Sequence, residues 1–386
     1  MANINNCFLC TSFFLRTIAS WPGTTRSISN FRKLFNALHV FLVISLITST
    51  ILQVSMYIIK NPLDAKVITE ILSAQCVYFH VIIKVIMYNV HRKKLIKLLT
   101  SVKTSLESNV KPLVNNVETY MKIGIIIYGS YALSIVLLAL DYILSPILQS
   151  ERVLPALMWY PFDYTNSTLF YGLAYAHQIT AIQLSGCTLG VEITFGMLVF
   201  HCCAQLQYLQ YLLQTLILGC HAERSRRTIR VRTAKCIRYQ NEILSSINDI
   251  DDVHTYIVLV LFCTATVTVS CLGFQLLNIE TLSVNSLAKF MLNAGCVLLQ
   301  LLFYYLPASI LTSEAMKVEM AVYRCNWESL LPDQRKDILF ILMRSMHVPR
   351  LTVGRISSLH LENYMKFLTT TASYLTSLQA ATGATS

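Results

Sequence analysis

Near the C-terminus of this 386-residue chain, Glu362, Lys366, Thr369, Ser373 and Thr376 recur at helical spacing. That spacing gathers a carboxylate, an ammonium and three hydroxyls on one helical face. Leu361, Met365, Leu368, Ala372 and Leu375 form an apolar stripe beside it. The segment from about residue 357 to 378 is long enough to cross a bilayer, yet a polar stripe of that length must face water or protein rather than lipid. Two arrangements satisfy it: the stripe lines an aqueous pore shared between subunits, or the hydroxyls bond back to their own backbone in a tightly packed helix. Glu362 and Lys366, four residues apart, are placed to pair. An unpaired Lys366 on a pore axis would repel cations.

Few other residues have the types and spacing that chemistry needs. No nucleophile and base, phosphate-binding loop or metal-ligand cluster is found, so the chain reads as no enzyme and needs no cofactor or metal. Cys7 and Cys10 have CxxC spacing, but no second ligand pair follows nearby to complete a zinc site. His177 and His201 stand alone on apolar segments and read as packing residues. The sequence holds twelve cysteines, none in a loop assigned below to the outside, so no structural disulfide is expected.

The elements that must position these residues are membrane helices. Hydrophobic residues make up 54% of the chain and charged ones 13%, with a mean hydropathy of +0.54, which excludes a soluble domain of this size. Apolar runs predict seven spans at about 35–59, 67–90, 123–148, 169–200, 254–277, 287–309 and 357–378, in one all-α domain covering residues 1–386. Phe8 to Ile18 reads as an interfacial helix, since Arg16 interrupts it and no cleavage site follows. Lys84, in the second span, is placed to snorkel toward the basic cluster at 91–94. The fourth span continues its helical pattern past Gln205 toward Leu218. Pro332 and Asp333 open a further helix, with Ile338, Leu339, Ile341, Leu342 and Met346 as apolar positions seeking a partner such as Ile237, Leu244 and Ile247.

Charge gives the orientation. The N-terminal segment and the stretches 91–122, 224–238 and 317–350 hold four, seven, seven and six Lys or Arg, whereas the opposite loops hold only Lys60, Lys66, Arg152 and Lys289. The basic loops stay in the cytoplasm, so the N-terminus is inside and the C-terminus outside. The formal net charge of +11 therefore reflects topology and not nucleic-acid binding. The sequon Asn166-Ser167-Thr168 falls in an outside loop, consistent with glycosylation at Asn166.

Trp159-Tyr160-Pro161-Phe162-Asp163 before the fourth span, Asn326-Trp327 after the sixth, Pro349-Arg350-Leu351-Thr352-Val353-Gly354 before the seventh and Ser373-Tyr374 near the end occur in an order that resembles the insect odorant receptors. The resemblance covers essentially the whole chain. It implies an odour-tuning subunit, since the long insertion between spans four and five typical of the co-receptor is missing. Such subunits join odorant co-receptor subunits as heterotetramers in the plasma membrane of olfactory sensory neurons and form odour-gated, non-selective cation channels. Their seventh helices line the pore and their cytoplasmic helices anchor the subunits together.

By this resemblance the pore-lining set is Glu362, Lys366, Thr369, Ser373, Thr376, Ser377 and Ala381. The last two, where the family constricts its pore, are small here, which implies that co-receptor subunits provide most of the gate. The family's pocket for a small volatile ligand lies among spans two, three, four and six. That region offers Ser73, Val77 and Tyr78; Leu137 and Asp141; Tyr175, Gln178 and Ile182; and Phe290, Met291 and Asn293. A gustatory-type channel working without the co-receptor is the nearest alternative. A G-protein-coupled receptor would need the opposite orientation.

Overall fold

The computed structural model describes residues 2–22, 30–61, 65–108, 110–147, 153–216, 225–277 and 284–383. Eleven helices follow one another among these residues: α1 (Ala2–Thr17), α2 (Asn30–Lys60), α3 (Ala65–Val90), α4 (Arg92–Leu106), α5 (Lys111–Ile147), α6 (Thr168–Cys187), α7 (Leu189–Gln214), α8 (Ser225–Leu277), α9 (Val284–Tyr323), α10 (Pro332–Ser345) and α11 (Leu361–Gly383). Six segments are long and apolar enough to cross a membrane: Lys33–Lys60, Val67–Val90, Pro112–Leu144, Thr168–Gln214, Arg226–Gln275 and Met291–Tyr323. The 23 residues of α11 add a seventh membrane-length helix of roughly 35 Å, its hydropathy diluted by the polar stripe.

The organising element is α7, buried along most of its length and packed against α5, α8, α9 and α1. Its small residues let neighbours approach closely, as membrane helix interfaces require. A Cβ on Gly196 would sit 2.2 Å from the Tyr128 ring of α5, so this crossing excludes every larger residue. At the rim, α2 carries no ionisable Asp, Glu, Lys or Arg from residue 35 to 59 and turns Phe35, Leu38, Phe41 and Leu52 outward, as a lipid-facing helix does. The main core is continuous from Leu15 on α1 to Tyr364 on α11.

Several elements run further than their apolar cores. α8 has 53 residues, roughly 80 Å of helix, more than twice a bilayer's hydrocarbon thickness. Its polar half repeats buried residues at Ile229, Thr233, Cys236, Gln240, Ile243, Ile247 and Ile250, the stripe of a helix packed on one side. α10 meets it and α9, opening at Pro332 and burying Ile338 and Ile341, while Leu339 and Met346 stay exposed. α7 ends at Gln214, and Leu218 lies outside the described residues. α4 is an additional helix within the 91–122 stretch. Whereas an interfacial position is expected for residues 8–18, α1 docks into the bundle with Thr11, Leu15 and the following Ile18 buried, while Leu9 and Phe13 are strongly exposed.

A short antiparallel hairpin stands where the seventh span is expected to begin. Thr352–Val353 pairs with Ser357–Ser358, and α11 starts at Leu361. Gly354 and Arg355 between the strands have φ of 58° and 61°, and Ile356 N–H donates to the Val353 carbonyl at 3.0 Å. Two consecutive positive φ values are the mark of a primed hairpin turn. Glycine suits 354, where a positive φ strains any side chain and a Cβ would also meet Leu259 Cδ2 at 2.7 Å.

Candidate ligand-binding site

A cavity of about 160 Å³ lies among α3, α5, α6, α8 and α9. Each helix offers one face at helical spacing: Ala74, Val77, Tyr78 and Val81 from α3; Tyr131, Ile135, Leu138 and Tyr142 from α5; Ile182 and Gly186 from α6; Asn293, Cys296, Val297 and Gln300 from α9. α8 completes it with Leu261, Thr264 and Thr268, a contribution absent from the sequence-based set. The walls are mainly apolar, as in pockets for small organic molecules. An apolar cavity of about 150 Å³ is enough for benzene, so this space suits a compact molecule of about one ring.

One end of the cavity is polar. Lys84, Thr188 and Gln300 line it, and behind them Lys84 Nζ lies 2.5 Å from Glu192 Oε1 with both side chains almost fully buried. Lys84 also donates to Thr188 Oγ1 at 3.0 Å, and the Gln300 amide donates to Glu192 Oε1 at 2.6 Å. Charges removed from water this completely persist only as a pair with further hydrogen bonds. This corrects the snorkelling expected of Lys84: its ammonium turns inward to α7. Alongside, the His254 Nδ1–H donates to the Ile250 carbonyl at 2.9 Å, and the Tyr88 hydroxyl lies 3.0 Å from His254 Nε2 and 3.1 Å from the Val191 carbonyl.

Of the eleven residues expected around a ligand, Val77, Tyr78, Ile182 and Asn293 line the cavity. Leu137 and Met291 turn outward, 53% and 49% exposed, because the inner faces of α5 and α9 are set by Leu138 and Asn293. Gln178 is buried but serves the chain before α6: its Oε1 accepts from Ala156 N–H at 2.8 Å and its amide donates to the Ala156 carbonyl at 3.1 Å. Tyr175 donates to the Ile143 carbonyl at 2.8 Å. Ser73 is buried on α3 away from the lining. The side chains of Asp141 and Phe290 lie outside the described residues.

The segment before α6 packs against α2. Met158 and Tyr160 are buried, Trp159 N–H donates to the Gln53 carbonyl at 3.1 Å, and Lys60 sits over the Trp159 ring at 3.7 Å. The Tyr160 hydroxyl lies 3.2 Å from His177 Nδ1, while His177 Nε2 lies 3.2 Å from Ser49 Oγ, and His201 Nε2 lies 2.9 Å from Ser105 Oγ. Both histidines are packing residues with partners. Asn166 is exposed, its amide donating to Asp163 Oδ2 at 2.6 Å. Hydrogen bonds from the Thr165 hydroxyl and backbone, and then from Asn166, hold the Asp163 carboxyl below its usual range.

On α11 the inward face consists of buried Tyr364 with half-buried Leu361, Phe367, Leu368 and Thr371, while Met365 and Ala372 are exposed. The apolar stripe is thus rotated from the expected one, because the large aromatics at 364 and 367 fill the space against α8 and α9. Glu362, Lys366, Thr369, Ser373, Thr376 and Ser377 are all exposed, with Lys366 Nζ 2.8 Å from Glu362 Oε1. The Thr369 and Ser377 hydroxyls bond back to Met365 and Ser373 at 3.0 and 2.8 Å. Backbone bonding and exposure therefore coexist on this helix. The Ala381 side chain lies outside the described residues.

Comparison with known proteins gives this architecture a family. The family described as 7tm Odorant receptor matches residues 67–372. Odorant receptor 13a of Drosophila melanogaster is 24% identical over 242 residues, 60% of this chain and 58% of that protein. Odorant receptor 10 of Aedes albopictus is 26% identical over 258 residues, 64% and 67% of the two chains. The match to the Drosophila receptor thus spans a little over half of its length. The olfactory receptor OR5 of Machilis hrabei superposes with a TM-score of 0.83 at 16% identity, over 98% of both chains. Its complex with eugenol superposes with a TM-score of 0.82 at 15% identity, over 100% of this chain and 99% of that one. With a family match that takes in five of the six apolar spans and most of α11, the chain belongs to the insect seven-transmembrane odorant receptors.

Proposed function

We propose that this chain is the ligand-tuning subunit of a heteromeric, odour-gated, non-selective cation channel, working with odorant co-receptor subunits in the plasma membrane of olfactory sensory neurons. The observation that carries the reading is the mainly apolar cavity of about 160 Å³ among five helices of an odorant receptor. It suits a small volatile, and the Machilis receptor of the same fold was solved with eugenol. Burial of an apolar body supplies most of the affinity, and one or two hydrogen bonds set its orientation. The odorant opens the channel by binding the open state more tightly than the closed one.

In this reading the polar face of α11 lines the shared pore, with Glu362 neutralising Lys366 at its cytoplasmic mouth. The small residues Ser377 and Ala381 leave most of the constriction to the co-receptor. The deciding experiment is whole-cell current in response to a broad odorant panel, with this chain expressed alone, with the co-receptor, and with G-protein signalling blocked. Current that needs both chains and survives the block is expected. Current from this chain alone would move the assignment to a gustatory-type channel, and loss under the block would favour metabotropic signalling.

A further inference from the structure

Two residues that line the cavity each bury a polar atom without a partner: His80 Nε2 on α3 and Thr268 Oγ1 on α8. The two residues are 5% and 1% exposed. Buried polar groups are nearly always hydrogen-bonded, and one on a residue beside a cavity can be served by what enters it. Thr268 differs from its neighbours in this respect. Thr264 and Thr266 turn their hydroxyls back to the Leu261 and Phe262 carbonyls at 3.0 and 2.9 Å, the habit of threonine in a membrane helix.

A neutral imidazole presents Nε2 as a hydrogen-bond acceptor when its ring proton is on Nδ1. The Thr268 hydroxyl can donate or accept. In that tautomer the two atoms offer one acceptor and one group of either kind.

On the reading of this cavity as the odorant site, we propose that the ligands are compact, neutral hydroxyl compounds, alcohols or phenols, whose O–H donates to His80 Nε2 and for which Thr268 is the second polar contact. An ether, ester or ketone has no proton for His80 and satisfies Thr268 alone. A hydrocarbon satisfies neither. Both atoms are already buried and unpaired, so each hydrogen bond that a ligand supplies is a gain. An ether or ketone forgoes the bond to His80, and a hydrocarbon forgoes both.

Two matched probe sets test this: 4-methylphenol, 4-methylanisole and 1,4-dimethylbenzene; and 1-hexanol, methyl pentyl ether and heptane, with 2-heptanone added. Binding to the full-length chain in lipid nanodiscs is followed by ligand-observed NMR. In at least one set the hydroxyl compound should bind roughly tenfold or more tightly than its partners. His80→Phe, which keeps a ring without an acceptor, should bring the preference within about threefold, and the near-isosteric Thr268→Val should reduce it in part. Equal or tighter binding of the ether, hydrocarbon or ketone in both sets would overturn the ligand class while leaving the cavity as the odorant site. Undiminished hydroxyl preference in both variants would overturn the assigned residues. Binding of no probe would remove the cavity as the odorant site and this proposal with it. Should His80→Phe fail to fold, the unmodified chain and Thr268→Val still decide.

Discussion

At the scale of single residues, the Lys84–Glu192 pair is the most consequential feature of the core. Removing one partner leaves the other charge uncompensated, which costs about 3–5 kcal/mol, whereas removing both charges together is often nearly neutral. Lys84→Met is therefore expected to destabilise the receptor by that amount, and Lys84→Met combined with Glu192→Gln to recover most of it, since Gln300 can still bond an amide at 192. Thermal unfolding midpoints of the purified chain in detergent check this; a double variant as unstable as the single one would show that the pair is not what holds α3 to α7. The pair was half legible. Lys84 and Glu192 each stand alone in an apolar run, and an intramembrane charge by itself asks for a partner. What the sequence hides is which one, because α3 and α7 meet only through the tertiary fold. The same limit explains Leu137 and Met291: their helices and depth were readable, but the facing side turns on a rotation of about 100° per residue.

Among the elements, the hairpin before α11 shows how a seemingly weak segment is held. The Thr352 N–H donates to Asp251 Oδ1 at 2.6 Å and the Thr352 hydroxyl lies 2.9 Å from Oδ2. Gly354 N–H donates to the Thr255 carbonyl at 3.0 Å, and the Arg355 guanidinium donates to Asp252 at 2.9 Å. The start of α11 is thereby fixed to α8 by backbone as well as side-chain bonds. Asp251→Ala leaves the Thr352 donors unserved, a local loss of about 1–3 kcal/mol. Amide exchange across residues 352–359 is expected to rise tenfold or more while that of α7 stays unchanged. Hydrogen-exchange mass spectrometry reads both, and an equal rise in α7 would mean that the hairpin is not a separate unit. Hydropathy identified the spans but neither this hairpin nor the 53-residue run of α8. Lipid-length apolar windows say nothing of helix that continues into water. The one-sided pattern from Ile229 to Ile250 was present in the sequence, and it reads as helix once the burial of one position on every turn is allowed to outweigh the basic residues between them.

For the whole molecule, helix order and packing are the same whichever way the chain sits in the membrane, so orientation rests on charge. The basic stretches at 91–122, 224–238 and 317–350 lie at the ends of α3, α7 and α9 opposite to the loop that carries Asn166, and Lys and Arg are retained on the cytoplasmic side. On this reading seven crossings would put the N-terminus inside and the C-terminus outside. Asn166 supplies an independent marker, since only a lumenal sequon is glycosylated, and its exposure leaves room for a glycan. An N-terminal epitope should be labelled only after cells are permeabilised, and a C-terminal one on intact cells. A glycosidase-sensitive mass shift should disappear in Asn166→Gln. Labelling of the N-terminus on intact cells would reverse the orientation and overturn the reading from charge.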